Sequence, residues 1–251
     1  EQNDYKDDYF SKGLWINELV KKYNVPLSLG VGIHTDAGRY DNDSTIGTLA
    51  IYTRFSENKD KYPDGTSRTI SRELADIIQT QIVEDMRNTY ASNWNRRPLW
   101  DRSYVEARVP EIPSILLEMF SHQNFQDMKY GLDPKIQFTI SRSIYKGILK
   151  YVALTQNREY TVQPLPIKNF STNLYFGNKP TAQLQWEERI DPLEESATAD
   201  HYIVYTQVID INNTTPSDFD QGTIVYKNKF SLAIESDKIY NFKVTAVNKG
   251  G

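Results

Sequence analysis

The residues best suited to chemistry in this sequence are His34 and Asp36 in the stretch VGIHTDAG, residues 31–38, and Glu118 in the stretch SILLEM, residues 114–119. His34 and Glu118 each follow a short apolar run and are expected at the end of a buried strand. A histidine there is either held by structural hydrogen bonds or acts as a metal ligand. An ionised glutamate there must be paired, coordinated, hydrogen-bonded or left at a rim open to solvent. Both residues are therefore candidates for a functional site, with a structural role as the alternative.

Composition limits what else the chain can do. The sequence contains no cysteine, which excludes disulfides, thiolate metal sites and cysteine nucleophiles. Any metal must then be bound by histidine, aspartate or glutamate. The formal net charge is −4, and no basic stretch is present, so binding to nucleic acid or to a membrane surface is not expected. No apolar window is long enough for a membrane span, and residues 1–10 lack the pattern of an export signal.

A smaller group of polar side chains precedes the strand that carries Glu118. Arg102, Tyr104 and Arg108 could line a cleft for an acidic ligand. Exposed arginines are more often simply solvated, and that remains the alternative.

Alternating helical and strand patterns must position these residues. The predicted elements are a helix over 11–23, a buried strand over 25–33, a strand over 47–54 after the turn-rich residues 37–45, a long helix over 69–90, a strand over 114–119 and a helix opened by Asp133 and Pro134. This order predicts a three-layer α/β domain with a mostly parallel sheet. Ligands of such sheets bind beyond the carboxyl ends of the strands, where His34 and Glu118 are expected.

The pattern changes after a linker over residues 158–166, which contains Pro164 and Pro166. Short alternating strands follow, with turn residues between them and no helical window. These strands are predicted over 182–186, 201–208, 222–226 and 238–248. Residues 167–251 are therefore predicted to form an antiparallel β-sandwich.

The second part of the chain resembles a fibronectin type III domain. Matching features are Leu184 and Trp186 in an early strand, HYIVY at 201–205 and the late strand at 240–248. The alternating apolar residues of the late strand are expected to share a core face: Tyr240, Phe242, Val244 and Ala246. In that family a further strand follows the turn that here ends at Gly251, so the resemblance implies a sandwich without its last strand and a fragment of a longer protein.

Four motifs over about residues 25–152 resemble those of the zinc-dependent N-acetylmuramoyl-L-alanine amidases, and the predicted amidase-like domain covers residues 1–157. GIHTDAG resembles their SIHADAG-type motif, and IPSILLEMFSHQNFQD resembles their PAVLVETGFLSNPED-type motif. GTLAIYT and ISRSIYKGILKY match, in order, the strand that follows the first motif and the closing helix. The resemblance implies that His34 binds zinc and that Glu118 is catalytic, while Asp36, Arg102, Arg108 and His122 could lie beside the metal or in the substrate cleft.

The resemblance also implies an incomplete metal site. About three protein ligands hold a catalytic zinc ion, and the other two in this family, a histidine and a glutamate, precede the first motif by a long interval. No histidine precedes His34, and Asp4, Asp7 and Asp8 lie too near the motif to replace the glutamate. His122 falls where the family has no ligand. Phe120 replaces the glycine usual after the catalytic glutamate and is expected to reshape the cleft.

The expected function is therefore zinc-dependent amide hydrolysis of peptidoglycan or a related cell-wall glycopeptide, in an extracellular, periplasmic or cell-surface protein. This chain is expected to be inactive by itself, with zinc ligands supplied by residues upstream. The alternative is an amidase-fold binding module of a multidomain surface protein, without catalysis.

Overall fold

The computed structural model describes residues 4–37, 44–212, 215 and 217–251. The described helices are α1 (Asp4–Tyr23), α2 (Ile70–Thr89), α3 (Val105–Arg108), α4 (Phe125–Gly131) and α5 (Pro134–Thr155). The described strands are β1 (Gly30–Asp36), β2 (Leu49–Tyr52), β3 (Trp100–Asp101), β4 (Ser114–Ser121), β5 (Lys168–Tyr175), β6 (Thr181–Glu187), β7 (His201–Asp210), β8 (Thr223–Val225), β9 (Lys229–Ala233) and β10 (Lys238–Val247). Most of the turn predicted over 37–45 lies outside the described residues.

The chain divides into two units, Glu1–Arg158 and Glu159–Gly251. The first unit contains a mixed sheet with strand order β1-β4-β2-β3. β1 pairs with β4 and β2 with β3 in parallel, but β2 runs antiparallel to β4. The sheet predicted to be mostly parallel is therefore a mixed sheet, because the pairing of β2 with β4 is antiparallel. Apolar patterns identify buried strands without giving their direction, which depends on the partner that each strand meets.

Helices lie on both faces of this sheet. Ile115 and Leu117 of β4 point into the core that α2 and α5 cover, together with Leu74, Ile78 and Ile140. Leu116, between them in sequence, belongs to a separate cluster with Leu49 and Ile51, on the side where α3 contacts β4, β1 and β2. The two-residue alternation of a strand explains this division.

The long helices follow the sequence pattern closely. The helix predicted over 69–90 is confirmed as α2, which buries Leu74, Ile78 and Met86. α5 begins at Pro134, where the Asp133 side chain accepts a hydrogen bond from the Lys135 N–H at 2.8 Å. α1 begins at Asp4, earlier than predicted, and the apolar side chains of Leu14 and Trp15 are exposed. None of the described helices combines the length and the apolar character needed to cross a bilayer.

The first strand begins and ends later than predicted. The predicted strand covered residues 25–33, but β1 runs from Gly30 to Asp36, so His34 lies within the strand and not beyond its end. Pro26 has no N–H for a ladder hydrogen bond, and Val25 is exposed. β4 likewise continues to Ser121, which places Glu118 inside it.

The second unit consists of two antiparallel three-stranded sheets, with strand orders β10-β7-β8 and β5-β6-β9. The buried residues of its core cluster are Leu184, Trp186, Tyr202, Val204 and Ala246. The four predicted strands are confirmed, and β5 and β9 were missed. Every residue of β5 is exposed, so its sequence carries no alternation to detect. The fibronectin type III assignment and the predicted domain limits stay predictions.

Candidate functional site

His34 and Glu118 are direct neighbours in the sheet. The parallel pairing of β1 with β4 puts the two residues in register, and residues in register on adjacent strands direct their side chains to the same face. His34, Leu116 and Glu118 line one cavity of about 210 Å³. The structure thus brings together the two residues that the sequence singled out, through strand register and not through two strand ends.

A third side chain of this cavity, Glu106, was missed by the sequence reasoning. Glu106 lies on the short helix α3, and its Oε2 is hydrogen-bonded to Nε2 of His34. Lys12 Nζ lies 3.5 Å from the other carboxylate oxygen of Glu106. A Cβ atom on Gly32 would lie 2.6 Å from Glu106 Oε2, so the missing side chain at residue 32 permits the contact. A single charge on a one-turn helix leaves no periodic signal in the sequence.

Asp36 is held beside Glu118 by two neighbours. Arg97 Nη1 donates to Asp36 Oδ2 at 2.7 Å, and the Arg97 side chain is largely buried, with 13% exposed. The backbone N–H of His122 donates to the Asp36 carbonyl at 2.9 Å, and His122 Nδ1 lies 3.2 Å from Thr35 Oγ1. His122 is itself exposed and so lies at the surface next to the site.

Glu118 is the most unusual titratable group of the site. Burial raises the pKa of its carboxyl, and the neighbouring Asp36 carboxylate raises that pKa further, while His34, Arg97 and His122 act to lower it. Its Oε2 is buried and has no hydrogen-bond partner among the described residues. A carboxyl group whose pKa is moved toward neutrality is suited to accept and donate a proton.

The remaining sequence candidates divide between this cavity and other places. Tyr104 lines the cavity with Glu118, as does Asp8, which lies in α1. Arg102 is exposed and donates through Nη1 to the Asp101 carbonyl at 3.0 Å. Arg108 lines a different cavity. The two arginines are thus not brought to the cavity of His34 and Glu118.

Phe120 does not reshape the cleft, contrary to the expectation from its position in the motif. Its ring is 4% exposed and packs edge-on against Trp94, with ring centroids 5.9 Å apart. The register between β1 and β4 shifts between His34 and Asp36, which leaves an extra residue in β4. Such an irregularity changes the alternation of the strand and explains how Glu118 faces the cavity while Phe120 faces the core.

The donor set around His34 is small for a catalytic metal ion. Three protein ligands are usual for catalytic zinc, and no group of three or more His, Asp or Glu side chains in the described part of the chain could hold a metal. The carboxylates that share the cavity with His34 are those of Asp8, Glu106 and Glu118, and Glu106 already engages Nε2 of His34. The described residues alone therefore do not fit a catalytic zinc ion.

Comparison with known families adds a finding to this geometry. Residues 7–150 match the family described as N-acetylmuramoyl-L-alanine amidase. No curated protein sequence matches the chain significantly.

Solved structures of amidases are similar to this chain at low identity. N-acetylmuramoyl-L-alanine amidase AmiC2 of Nostoc punctiforme is 18% identical, with a TM-score of 0.42, and the match covers 54% of this chain and 63% of that one. An N-acetylmuramoyl-L-alanine amidase from Clostridium difficile 630 is 22% identical, with a TM-score of 0.43 and coverage of 57% and 63%. The CwlD amidase from Clostridioides difficile, in complex with the GerS lipoprotein, is 25% identical, with a TM-score of 0.40 and coverage of 55% and 60%. The chain thus spans less than two thirds of the length of these structures.

Proposed function

This chain belongs to the N-acetylmuramoyl-L-alanine amidase family, and from that membership we propose that it contributes to hydrolysis of the amide bond between muramic acid and L-alanine in peptidoglycan. Glu118 is the proposed general acid and base. The observation that carries this assignment is the half-buried Glu118 side chain, which lines a cavity beside His34 and has a buried Oε2 without a described hydrogen-bond partner.

Amide hydrolysis requires one proton to move between two atoms. Water must lose a proton as its oxygen attacks the carbonyl carbon, and the leaving nitrogen must gain one as the C–N bond breaks. A single carboxylate between the two positions can do both, taking the proton from water and passing it to the amine. The raised pKa of Glu118 supports this role, because it makes the carboxylate a stronger base than an exposed glutamate.

In this proposal His34 is the one residue of the chain that is assigned as a zinc ligand. The family resemblance implies that His34 is one ligand of a zinc ion, which would polarise the scissile carbonyl and activate water when bound. Three carboxylates share the cavity with His34, those of Asp8, Glu106 and Glu118, but no group of three or more His, Asp or Glu side chains among the described residues could hold a metal. We therefore expect the 251-residue chain to have no tight, stoichiometric zinc site of its own.

The proposed substrate also suggests a place of action. Peptidoglycan lies outside the cytoplasmic membrane, so an amidase that acts on it works in the periplasm, at the cell surface or outside the cell. We propose such a location for this protein, with peptidoglycan as its glycan partner.

A second candidate function is binding of cell-wall glycan without catalysis. One observation favours it: Glu106 engages Nε2 of His34, one of the two ring nitrogens through which a histidine can bind a metal. An amidase fold with this contact in place would still present the cavity as a surface for glycan.

The test is an amidase assay on the protein expressed at its full genetic length, with zinc supplied and purified peptidoglycan as substrate. Newly exposed L-alanine amino termini measure the reaction. Glu118→Gln keeps the size of the side chain but removes the base, so activity should fall by about 10²- to 10⁴-fold. Glu84→Gln, on the exposed face of α2, is the matched control and should keep full activity.

Three outcomes separate the hypotheses. Unchanged hydrolysis by the Glu118→Gln protein would refute the catalytic assignment. A wild-type protein that sediments with peptidoglycan but releases no amino termini would favour the binding function. Calorimetric titration of the 251-residue chain that revealed a tight, one-to-one zinc site would contradict the expected weak metal binding.

A further inference from the structure

A second cavity of the first unit is lined by cationic side chains, and three buried nitrogen atoms of its two arginines have no hydrogen-bond partner among the described residues. It has a volume of about 370 Å³. Four of its lining side chains are cationic, namely Lys59, Lys61, Arg68 and Arg108, against the two carboxylates of Glu57 and Glu111. The lining is therefore positively charged in a protein whose formal net charge is −4.

Arg68 is the most constrained of these cations. It is only 4% exposed. Its Nη2 donates to the backbone carbonyls of Arg108 at 3.0 Å and Pro110 at 3.5 Å, so one of the three guanidinium nitrogens has hydrogen-bond partners. Its Nε and Nη1 are buried and have no hydrogen-bond partner among the described residues. Buried donors are nearly always paired, so an arginine with two unpaired nitrogens requires an explanation.

Arg108 shows the same feature on the same cavity. Its Nε is also buried without a partner in the described part of the chain, and its guanidinium lies 5.6 Å from the centre of the Phe10 ring. The guanidinium of Arg68 lies 4.4 Å from the centre of the Tyr62 ring. The aromatic rings fix both side chains without using their N–H groups.

Neither arginine is in direct contact with a carboxylate in the described part of the chain, although Glu111 lines the same cavity. No salt bridge of Arg68 or Arg108 to a carboxylate occurs among the described residues. Burial lowers the pKa of Arg68, and the nearby Arg108 lowers it as well, while Tyr62 and Glu111 raise it. Removing two neighbouring cations from water costs free energy when their N–H donors lack acceptors. An anion bound between them would reduce that cost.

We propose that this cavity binds an oxyanion, either a carboxylate or a phosphate group of a larger ligand. Arg68 and Arg108 line its wall, and Nε and Nη1 of Arg68 and Nε of Arg108 are the N–H donors left for an anion. Lys59 and Lys61 are exposed and add positive charge at the rim. The sequence indicated Arg108 as a residue that could bind an acidic ligand. Arg108 lines this cavity and not the cavity of Glu118, so the acidic ligand is placed here.

The two cavities lie on either side of the same short helix. Glu106 of α3 lines the cavity of His34 and Glu118, and Arg108 of α3 lines the oxyanion cavity. Residues of α1 line both, Asp8 and Lys12 on the first and Phe10 and Leu14 on the second. An extended ligand that passed over α3 would reach both cavities, with an anionic group at the second.

Two small probes test the proposal and distinguish the source of the anion. The 251-residue chain is titrated calorimetrically, at low ionic strength, with inorganic phosphate and separately with N-acetyl-D-alanyl-D-alanine, a dipeptide with a free carboxylate. We expect saturable one-to-one binding of at least one probe. Tighter binding of phosphate assigns the site to a phosphate-bearing ligand, and tighter binding of the dipeptide assigns it to a peptide carboxylate.

Substitutions locate the binding. Arg68→Lys keeps the charge but loses the guanidinium N–H donors, and Arg108→Gln removes the charge. Each should weaken binding by roughly tenfold to a hundredfold, as expected for lost hydrogen bonds to a charged group. The double variant Lys59→Gln/Lys61→Gln changes only exposed residues and keeps the proposal testable if Arg68→Lys fails to fold. It should weaken binding severalfold and reduce its dependence on salt. Lys22→Gln, exposed on α1 and outside the cavity, is the control.

The proposal is wrong if neither probe saturates, or if all variants bind as the wild type does. It is independent of the amidase assay, because Glu118→Gln should leave the binding of both probes unchanged. A loss of probe binding in that variant would instead place the probes in the Glu118 cavity and overturn the assignment.

Discussion

A buried ion pair between α5 and α2 offers the sharpest test of how the first unit is stabilised. Lys146 Nζ lies 2.8 Å from Asp85 Oδ2, and the two side chains are 1% and 5% exposed. Asp85 also accepts hydrogen bonds from Gln81 Nε2 at 3.0 Å and from Ser143 Oγ at 2.6 Å. The carboxylate is thus fully engaged in a site without water access.

The expected cost follows from what each substitution leaves behind. Lys146→Met removes the cation and leaves a buried carboxylate with two neutral donors, which should lower the free energy of unfolding by about 3–5 kcal/mol. Asp85→Asn leaves a buried ammonium without a counter-charge and should cost a similar amount. The double variant has no buried charge, and the amide oxygen that replaces the carboxylate can still accept a hydrogen bond. It should lose much less than the sum of the two, with a coupling free energy of about 2–4 kcal/mol.

Urea unfolding of the four proteins measures these differences. The helical signal in far-ultraviolet circular dichroism is the suitable probe, because every described helix lies in the first unit. Arg96→Gln is the control, since its partner Asp76 is nearly half exposed and exposed pairs contribute less than about 1 kcal/mol. Single variants that each cost less than about 1 kcal/mol, or a double variant whose loss equals their sum, would refute the reasoning.

Two further predictions concern stability. Burial raises the pKa of Tyr151 to about 12, so the unfolded chain loses this proton first, and the free energy of unfolding should fall by about 1.4 kcal/mol per pH unit between the ordinary pKa and the raised one. Tyr151→Phe should lack that part of the decline, and parallel curves for the two proteins in alkaline urea titrations would contradict it. Asp127 accepts backbone hydrogen bonds from Ile46 at 2.9 Å, Gly47 at 3.3 Å and Ser121 at 2.8 Å. Asp127→Ala should therefore lower the free energy of unfolding by about 3 kcal/mol, and a thermal midpoint equal to that of the wild type would argue against this role.

Much of the first unit was predictable because its signals are local. Each of these signals involves residues that are close together in the sequence. They are the periodic apolar residues of α2, the Asp133 cap of α5 and the apolar run of β4. The same holds for the short motifs around His34 and Glu118, whose residue types alone indicated metal or acid–base chemistry. Burial in the second unit followed the alternation of β10 in the same way.

The contacts that define both cavities depend on residues distant in sequence. The register of β1 with β4 decides that His34 meets Glu118, and the shift after His34 turns Phe120 away from the cavity. Glu106 reaches His34 across 72 positions of the chain, and Asp36 meets Arg97 across 61. No local pattern encodes such distances, because loop closure and packing select them only when the elements assemble. The sequence alone thus determined which groups are available for chemistry, and tertiary packing decided which of them lie together and which donors are left for a ligand.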